Sequence, residues 1–99
     1  MSKDFSYFSG EKYNLLAKKK GYRSRAAFKL IQINKKEKLF SKNSSILDLG
    51  SAPGGWCQIA LENIGPSGSV VGVDILEMEE IRGVKFINED LRKLDLNKI

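Results

Sequence analysis

Histidine is absent from this chain, and that absence excludes a great deal. No imidazole is available as a general base, a metal ligand or a member of a Ser-His-Asp triad, so the common hydrolase arrangements and His-based metal sites drop out. Cysteine occurs once, as Cys57, which excludes an internal disulfide and a multi-cysteine zinc centre. No metal is expected. Apolar residues never run to membrane-spanning length, and the N-terminus has no signal-peptide core, so the chain is expected to be soluble, cytoplasmic and without a membrane partner. Its 99 residues, 41% of them hydrophobic, suffice for one small domain or part of a larger one.

Acidic residues are scarce in one part of the chain only. Residues 1–42 hold 12 Lys/Arg against 3 Asp/Glu, whereas residues 43–99 hold 5 against 9. A basic arm joined to an acidic, nucleotide-type half points to a polyanionic partner, nucleic acid first, although a solvated lysine-rich surface has the same composition.

Within the arm, Ser9 is placed to cap a short helix running to about Lys20. Glu11 sits in its first turn, Lys18-Lys19-Lys20 in its last, and Gly21 terminates it. Tyr13, Leu16, Ala17 and Lys20 share a face. Phe5, Tyr7 and Phe8 precede this helix as aromatics able to pack or stack. Ser24 is expected to cap a second helix over residues 25–38. At 100° per residue, Ala27, Leu30, Ile31 and Asn34 fall on one side of it, and Arg25, Lys29, Gln32 and Lys36 on the other.

From residue 45 the pattern alternates. Strands are expected at 45–49, 69–75 and 84–87, a helix at 55–63, a turn at Gly65-Pro66-Ser67-Gly68 and a short helical turn at 77–81. This β-α-β-(α)-β order is the first half of a doubly wound parallel sheet, an α/β fold. Between the first strand and its helix lies Asp48-Leu49-Gly50-Ser51-Ala52-Pro53-Gly54-Gly55-Trp56. Its glycines admit backbone conformations closed to other residues and let a ligand approach the main chain, and amides at the helix start favour an anionic group. The spacing Gly50-x-x-x-Gly54-Gly55 is not the dinucleotide fingerprint, which argues against a nicotinamide dehydrogenase and suggests S-adenosylmethionine.

The acids around this turn each carry two readings. Asp48 contacts a methionine ammonium group or holds the turn in shape. Asp74, at the end of the second strand, accepts from ribose hydroxyls or caps the next segment. Asp90, after the third strand, accepts from an adenine amino group or is a surface acid. Trp56 offers its backbone or covers the sheet edge, and Cys57 is a small core hydrophobe.

Tyr22-Arg23-Ser24-Arg25-Ala26-Ala27-Phe28-Lys29-Leu30, followed by the glycine turn, strongly resembles the FtsJ-like (RrmJ-type) RNA ribose 2′-O-methyltransferases. The likeness continues through Val73-Asp74-Ile75-Leu76-Glu77-Met78, Gly83-Val84-Lys85-Phe86-Ile87 and Asp90, and covers the chain from about Glu11. The resemblance implies a Rossmann-like fold, here the first three parallel strands plus N-terminal helices, that uses S-adenosylmethionine to methylate a ribose 2′-hydroxyl in RNA. Large-subunit ribosomal RNA is the expected substrate, because the compact start at Met1 resembles the bacterial branch. Transfer RNA and mRNA caps undergo the same chemistry.

By the same resemblance Lys29 matches the first member of a lysine–aspartate–lysine–glutamate catalytic set. Gly50, Pro53, Gly55 and Trp56 match the cofactor site, and Asp74 and Asp90 match the adenosine-contacting acids; Asp48 joins the cofactor-binding set from its place at the end of the first strand, apart from the resemblance. A lysine in such a set either takes the hydroxyl proton or, as an ammonium, steers the hydroxyl and stabilises developing negative charge. The rest of the set has no match here, since Asp95 and Lys98 come too early in the topology. The chain is therefore expected to be the N-terminal half of a longer enzyme, with a basic, RNA-facing arm over 1–42 and half of a donor-binding domain over 43–99. Arg23 and Arg25, flanking Lys29, and Lys36 are the expected RNA contacts, along with Lys18, Lys19, Lys20, Lys35 and Lys38 as phosphate followers and Tyr22 as a stacking ring. A non-catalytic RNA-binding remnant of the fold is the alternative.

Overall fold

The structure, a computed structural model, describes residues 10–99. Phe5, Tyr7, Phe8 and the expected cap Ser9 lie outside the described residues. Helix α1 (Glu11–Lys20) starts from an extended Gly10 with no side-chain cap and ends at Gly21, whose left-handed φ of +80° glycine adopts without steric cost. There the Gly21 amide donates to the Lys18 carbonyl and the Tyr22 amide to the Ala17 carbonyl at 2.8 Å, a Schellman pair that turns the chain back.

Helix α2 (Ala26–Glu37) is one residue shorter at each end than its periodicity suggests. Ser24 still starts it, its Oγ accepting from the Ala26 amide at 3.0 Å and its carbonyl from the Ala27 amide. Ala27 and Leu30 are buried, as the apolar stripe predicts. At the far end Lys38 takes a left-handed conformation while its amide bonds the Asn34 carbonyl, and the Asn34 side chain accepts from the Phe40 amide.

Three parallel strands follow, β1 (Ser45–Leu49), β2 (Ser69–Asp74) and β3 (Val84–Asn88), in the order β1-β2-β3, with α3 (Gly55–Ile64) crossing from β1 to β2. Ile46, Val70 and Val84 stand in register, and all three pack with the buried Cys57, Ala60 and Ile64 of α3. A second cluster joins Ala27 and Leu30 of α2 to Ile59 of α3, and Phe40 touches both clusters. The basic arm thus shares its core with the sheet. On the other face, Leu47 and Leu49 of β1 remain 41% and 52% exposed.

Two local expectations need correction. Residues 77–81 form no helical turn. The segment runs open, and the carbonyls of Glu79 and Glu80 are taken by the Arg23 guanidinium instead of by a helical ladder. The weak helical signal at the C-terminus resolves into two single 3₁₀ turns, Leu91–Lys93 and Leu96–Lys98, begun by Asp90 and Asp95 through the amides of Arg92 and Asn97.

Candidate functional site

The C-terminal ends of parallel strands and the start of the following helix make the natural crevice of an open α/β sheet. Here that crevice is a cleft of about 370 Å³, and its lining includes Lys29, Asp48, Gly50, Pro53, Gly55 and Trp56. Helix α2 brings Lys29 to the glycine turn because Ala27 and Leu30, on its buried side, lock onto Ile59 of α3. The Trp56 indole fixes the same junction, its Nε1–H donating to the Ala26 carbonyl at 2.9 Å while the ring stays partly exposed. Trp56 therefore serves through its side chain as a helix tie, a role neither sequence reading anticipated.

The turn itself is bound inward. The Gly50 and Ser51 amides both donate to the Val73 carbonyl, at 2.7 and 3.0 Å, and the Ala52 amide donates to Asp74 Oδ2 at 2.9 Å. These amides are spent on β2, so they do not supply an anion nest for a ligand. The glycines divide the work. A Cβ at Gly50 (φ +82°) would meet nothing within 4 Å, leaving that backbone open to a ligand. At Gly54 (φ +117°) it would lie 2.7 Å from Ile81 Cδ1 and 3.2 Å from Arg23 Cδ, and at Gly55 it would lie 3.3 Å from Ser24 Cβ. Gly54 and Gly55 are small so that the α1–α2 linker can pack against the helix start.

Asp48 faces the cleft from the end of β1. Its Oδ2 accepts the Cys57 thiol at 3.3 Å. The second oxygen has no hydrogen-bond partner among the described residues and is not buried, so it is open to solvent. Burial raises the Asp48 carboxyl above the usual carboxylate range, the thiol bond opposes this in part, and the charge of Asp74 adds to it. The Cys57 thiol is pushed up to about 12, mainly by burial and then by its bond to Asp48. Cys57 is buried as expected and also carries a polar bond, which its hydrophobic reading missed.

Asp74 performs the capping role the sequence offered as one of its two readings. Oδ1 accepts from the Leu76 amide and Oδ2 from the Ala52 amide, both at 2.9 Å, which ties the segment after β2 to the glycine turn. Asn88 reinforces that segment by donating to the carbonyls of Asp74 and Ile75. Asp90 lies after β3 and outside the cleft lining. It pairs with Arg92 at 2.6 Å, and that guanidinium holds its carboxyl below the usual range.

The expected RNA contacts separate. Lys36 is exposed, about 10 Å along α2 from Lys29. Arg25 donates to the Asn14 side chain at 3.3 Å and so leans on α1. Tyr22, expected to be a stacking ring, already packs edge-on against Phe28 at 5.6 Å, with Tyr13 on Phe28 at 5.7 Å. Arg23, expected to follow phosphates, donates instead to the carbonyls of Pro53, Glu79 and Glu80. Gln58, which no motif marked, bridges the Gly21 carbonyl and the Arg23 amide.

Among the described residues, no group of three or more acidic or cysteine side chains stands together to hold a metal, and no helix is long and apolar enough to cross a membrane. The model of the FtsJ-like methyltransferases matches residues 22–99. Ribosomal RNA large subunit methyltransferase E of Dechloromonas aromatica is 49% identical over 81 residues, 82% of this chain and 40% of that protein. The protein of the same name from a Neisseria meningitidis serogroup C strain is 51% identical over 84 residues, 85% of this chain and 41% of that one. A crystal structure of a candidate ribosomal RNA methyltransferase from Plasmodium falciparum superposes with a TM-score of 0.66 at 43% identity, covering 73% of this chain and 40% of that one. The chain spans about 40% of the length of these relatives. With the glycine turn, the arginine-rich helix and the parallel sheet all within the matched span, the chain belongs to the FtsJ-like methyltransferase family.

Proposed function

We propose that the chain forms the methyl-donor floor and contributes the first catalytic lysine of an S-adenosylmethionine-dependent RNA ribose 2′-O-methyltransferase acting on large-subunit ribosomal RNA. One observation carries the reading: Lys29 lines the same cleft as Asp48 and the glycine turn, although it is 19 residues or more away from them in sequence. The names of these two relatives support ribosomal RNA as substrate.

The donor set fits the cofactor. The open oxygen of Asp48 suits an ammonium group, and the vacant side of Gly50 admits a ligand to the backbone. Asp74, with one amide on each carboxylate oxygen, keeps lone pairs for ribose hydroxyls. Asp90 would meet the base only once its partnership with Arg92 loosened. When bound, S-adenosylmethionine supplies an electrophilic methyl group on a sulfonium. The ribose hydroxyl is a poor nucleophile, so alignment supplies much of the acceleration. Lys29 stands at the cleft wall to orient that hydroxyl and to receive its proton or stabilise the developing negative charge. The basic side of α2 and the end of α1 supply the phosphate-facing charge.

Calorimetric titration of S-adenosylmethionine into the chain tests the floor. Saturable binding weakened about tenfold by Gly50→Ala is the expected result, and no heat at millimolar ligand rejects the reading. In a polypeptide that also carries the remaining catalytic groups, Lys29→Ala is expected to lower methyl transfer by roughly 10²-fold or more while leaving donor affinity within about twofold. Near-normal turnover would remove Lys29 from the mechanism.

A further inference from the structure

Arg23 ties together parts of the chain that lie far apart in sequence. Its Nη1 donates to the Pro53 carbonyl at 3.2 Å and to the Glu79 carbonyl at 2.5 Å, and its Nη2 to the Glu80 carbonyl at 2.7 Å. These partners are 30, 56 and 57 residues away along the chain. The stem of Arg23 fills the space over Gly54, and its amide is anchored on Gln58 Oε1 at 2.9 Å. The root is therefore tied to α3, the stem to the glycine turn, and the head to both that turn and residues 79–80.

Of the segments joined, the glycine turn lines the Lys29 cleft, and the segment after β2 backs that turn from behind. Ala52 and Pro53 line the Lys29 cleft on one side, and on the other they line a second cleft of about 530 Å³ shared with Arg23, Leu76 and Met78. Arg23 thus stands behind the glycine turn and holds it to the segment after β2. A planar guanidinium can bond three carbonyls from two segments at once. A lysine ammonium, a compact point charge, cannot span them in that geometry. Contact with a phosphate would require the head to leave these carbonyls.

We infer that Arg23 is a positioning residue for the methyl-donor cleft, a strut between the α1–α2 linker, the glycine turn and residues 79–80, and not a phosphate contact. The inference rests on reading the Lys29 cleft as the donor site.

The test uses the full chain as wild type, Arg23→Ala, Arg23→Lys and Lys36→Ala, with three measurements. In hydrogen exchange, Arg23→Ala is expected to speed amide exchange about tenfold or more at residues 51–54 and 76–81, with Arg23→Lys failing to restore protection. By calorimetry, both Arg23 variants are expected to weaken S-adenosylmethionine binding about tenfold, whereas Lys36→Ala leaves it unchanged. For binding to a single-stranded oligoribonucleotide, Lys36→Ala is expected to reduce the slope of log affinity against log salt by about 0.7, and Arg23→Ala to leave it unchanged. A slope lowered by Arg23→Ala, restored by Arg23→Lys and accompanied by unaltered exchange would make Arg23 a phosphate contact and overturn the inference. Should wild type fail to bind S-adenosylmethionine, the functional reading falls, while the exchange measurement still decides whether Arg23 is a strut. Should Arg23→Ala unfold, Arg23→Lys carries the comparison.

Discussion

Gly50 and Gly54 look alike in the sequence and differ in what surrounds them. Alanine at Gly54 must adopt a φ of +117° and fit against Ile81 and the Arg23 stem, so Gly54→Ala is expected to cost about 2–4 kcal/mol, read as a fall in the urea midpoint. Gly50→Ala meets open space and pays only for its left-handed backbone, about 1–2 kcal/mol. Equal destabilisation by the two would contradict this division. Asp48 offers a second residue-scale outcome. Its carboxyl is raised in the folded chain, so ionised Asp48 costs stability at neutral pH. Below the unfolded carboxylate value, about 3.9, it is protonated in both states and the cost disappears. Asp48→Asn is therefore expected to raise the thermal midpoint at pH 7, to give no gain near pH 3, and to weaken S-adenosylmethionine binding. A gain of the same size at both pH values would show that the charge is not its source. That one residue is costly to the fold and suited to an ammonium ligand is the trade expected where function and stability compete.

At the scale of elements, the helices were legible because their signals are local. Glu11, the three lysines and Gly21 bracket α1, and the spacing of Ala27 and Leu30 marks the buried side of α2. The loop after β2 departs from its local pattern for the opposite reason. Glu77 to Ile81 has helix-compatible residues, but Arg23 takes two of its carbonyls from more than 50 residues away. Gln58 shows the same limit, since nothing near it in sequence reveals that its amide will clamp Gly21 and Arg23. Gln58→Ala leaves that carbonyl and that amide without their partner and is expected to cost about 1–3 kcal/mol, with protection lost first in α1 and the linker. Measured by hydrogen exchange with mass spectrometry, uniform loss across the sheet would instead mean that Gln58 supports the whole core.

For the whole molecule, α3 covers one face of a three-stranded parallel sheet, and β1 lies at its edge with Leu47 and Leu49 largely exposed on the other face. Parallel sheets are normally covered on both faces, and an unpaired edge strand is a template for another chain. A polypeptide of these 99 residues is expected to self-associate with rising concentration in sedimentation experiments, and Leu47→Lys, which places a charge on that strand, is expected to keep it monomeric. A wild-type chain that stays monomeric at high concentration would show that the edge is protected.

By itself, the sequence determined the order of elements, the parallel α/β class, the place of the glycine turn and the polarity of the arm. Periodicity, turn chemistry and charge are properties of neighbouring residues and survive without a fold. Only the tertiary structure decided which glycine faces open space, that Asp74 ties the turn to the segment after β2, that the amides of Gly50, Ser51 and Ala52 point inward, and that Arg23 spends its head on carbonyls. Each of those outcomes depends on groups 22 to 57 residues apart meeting at hydrogen-bond or van der Waals distance, and such meetings are set by how the helices pack on the sheet, not by any local pattern.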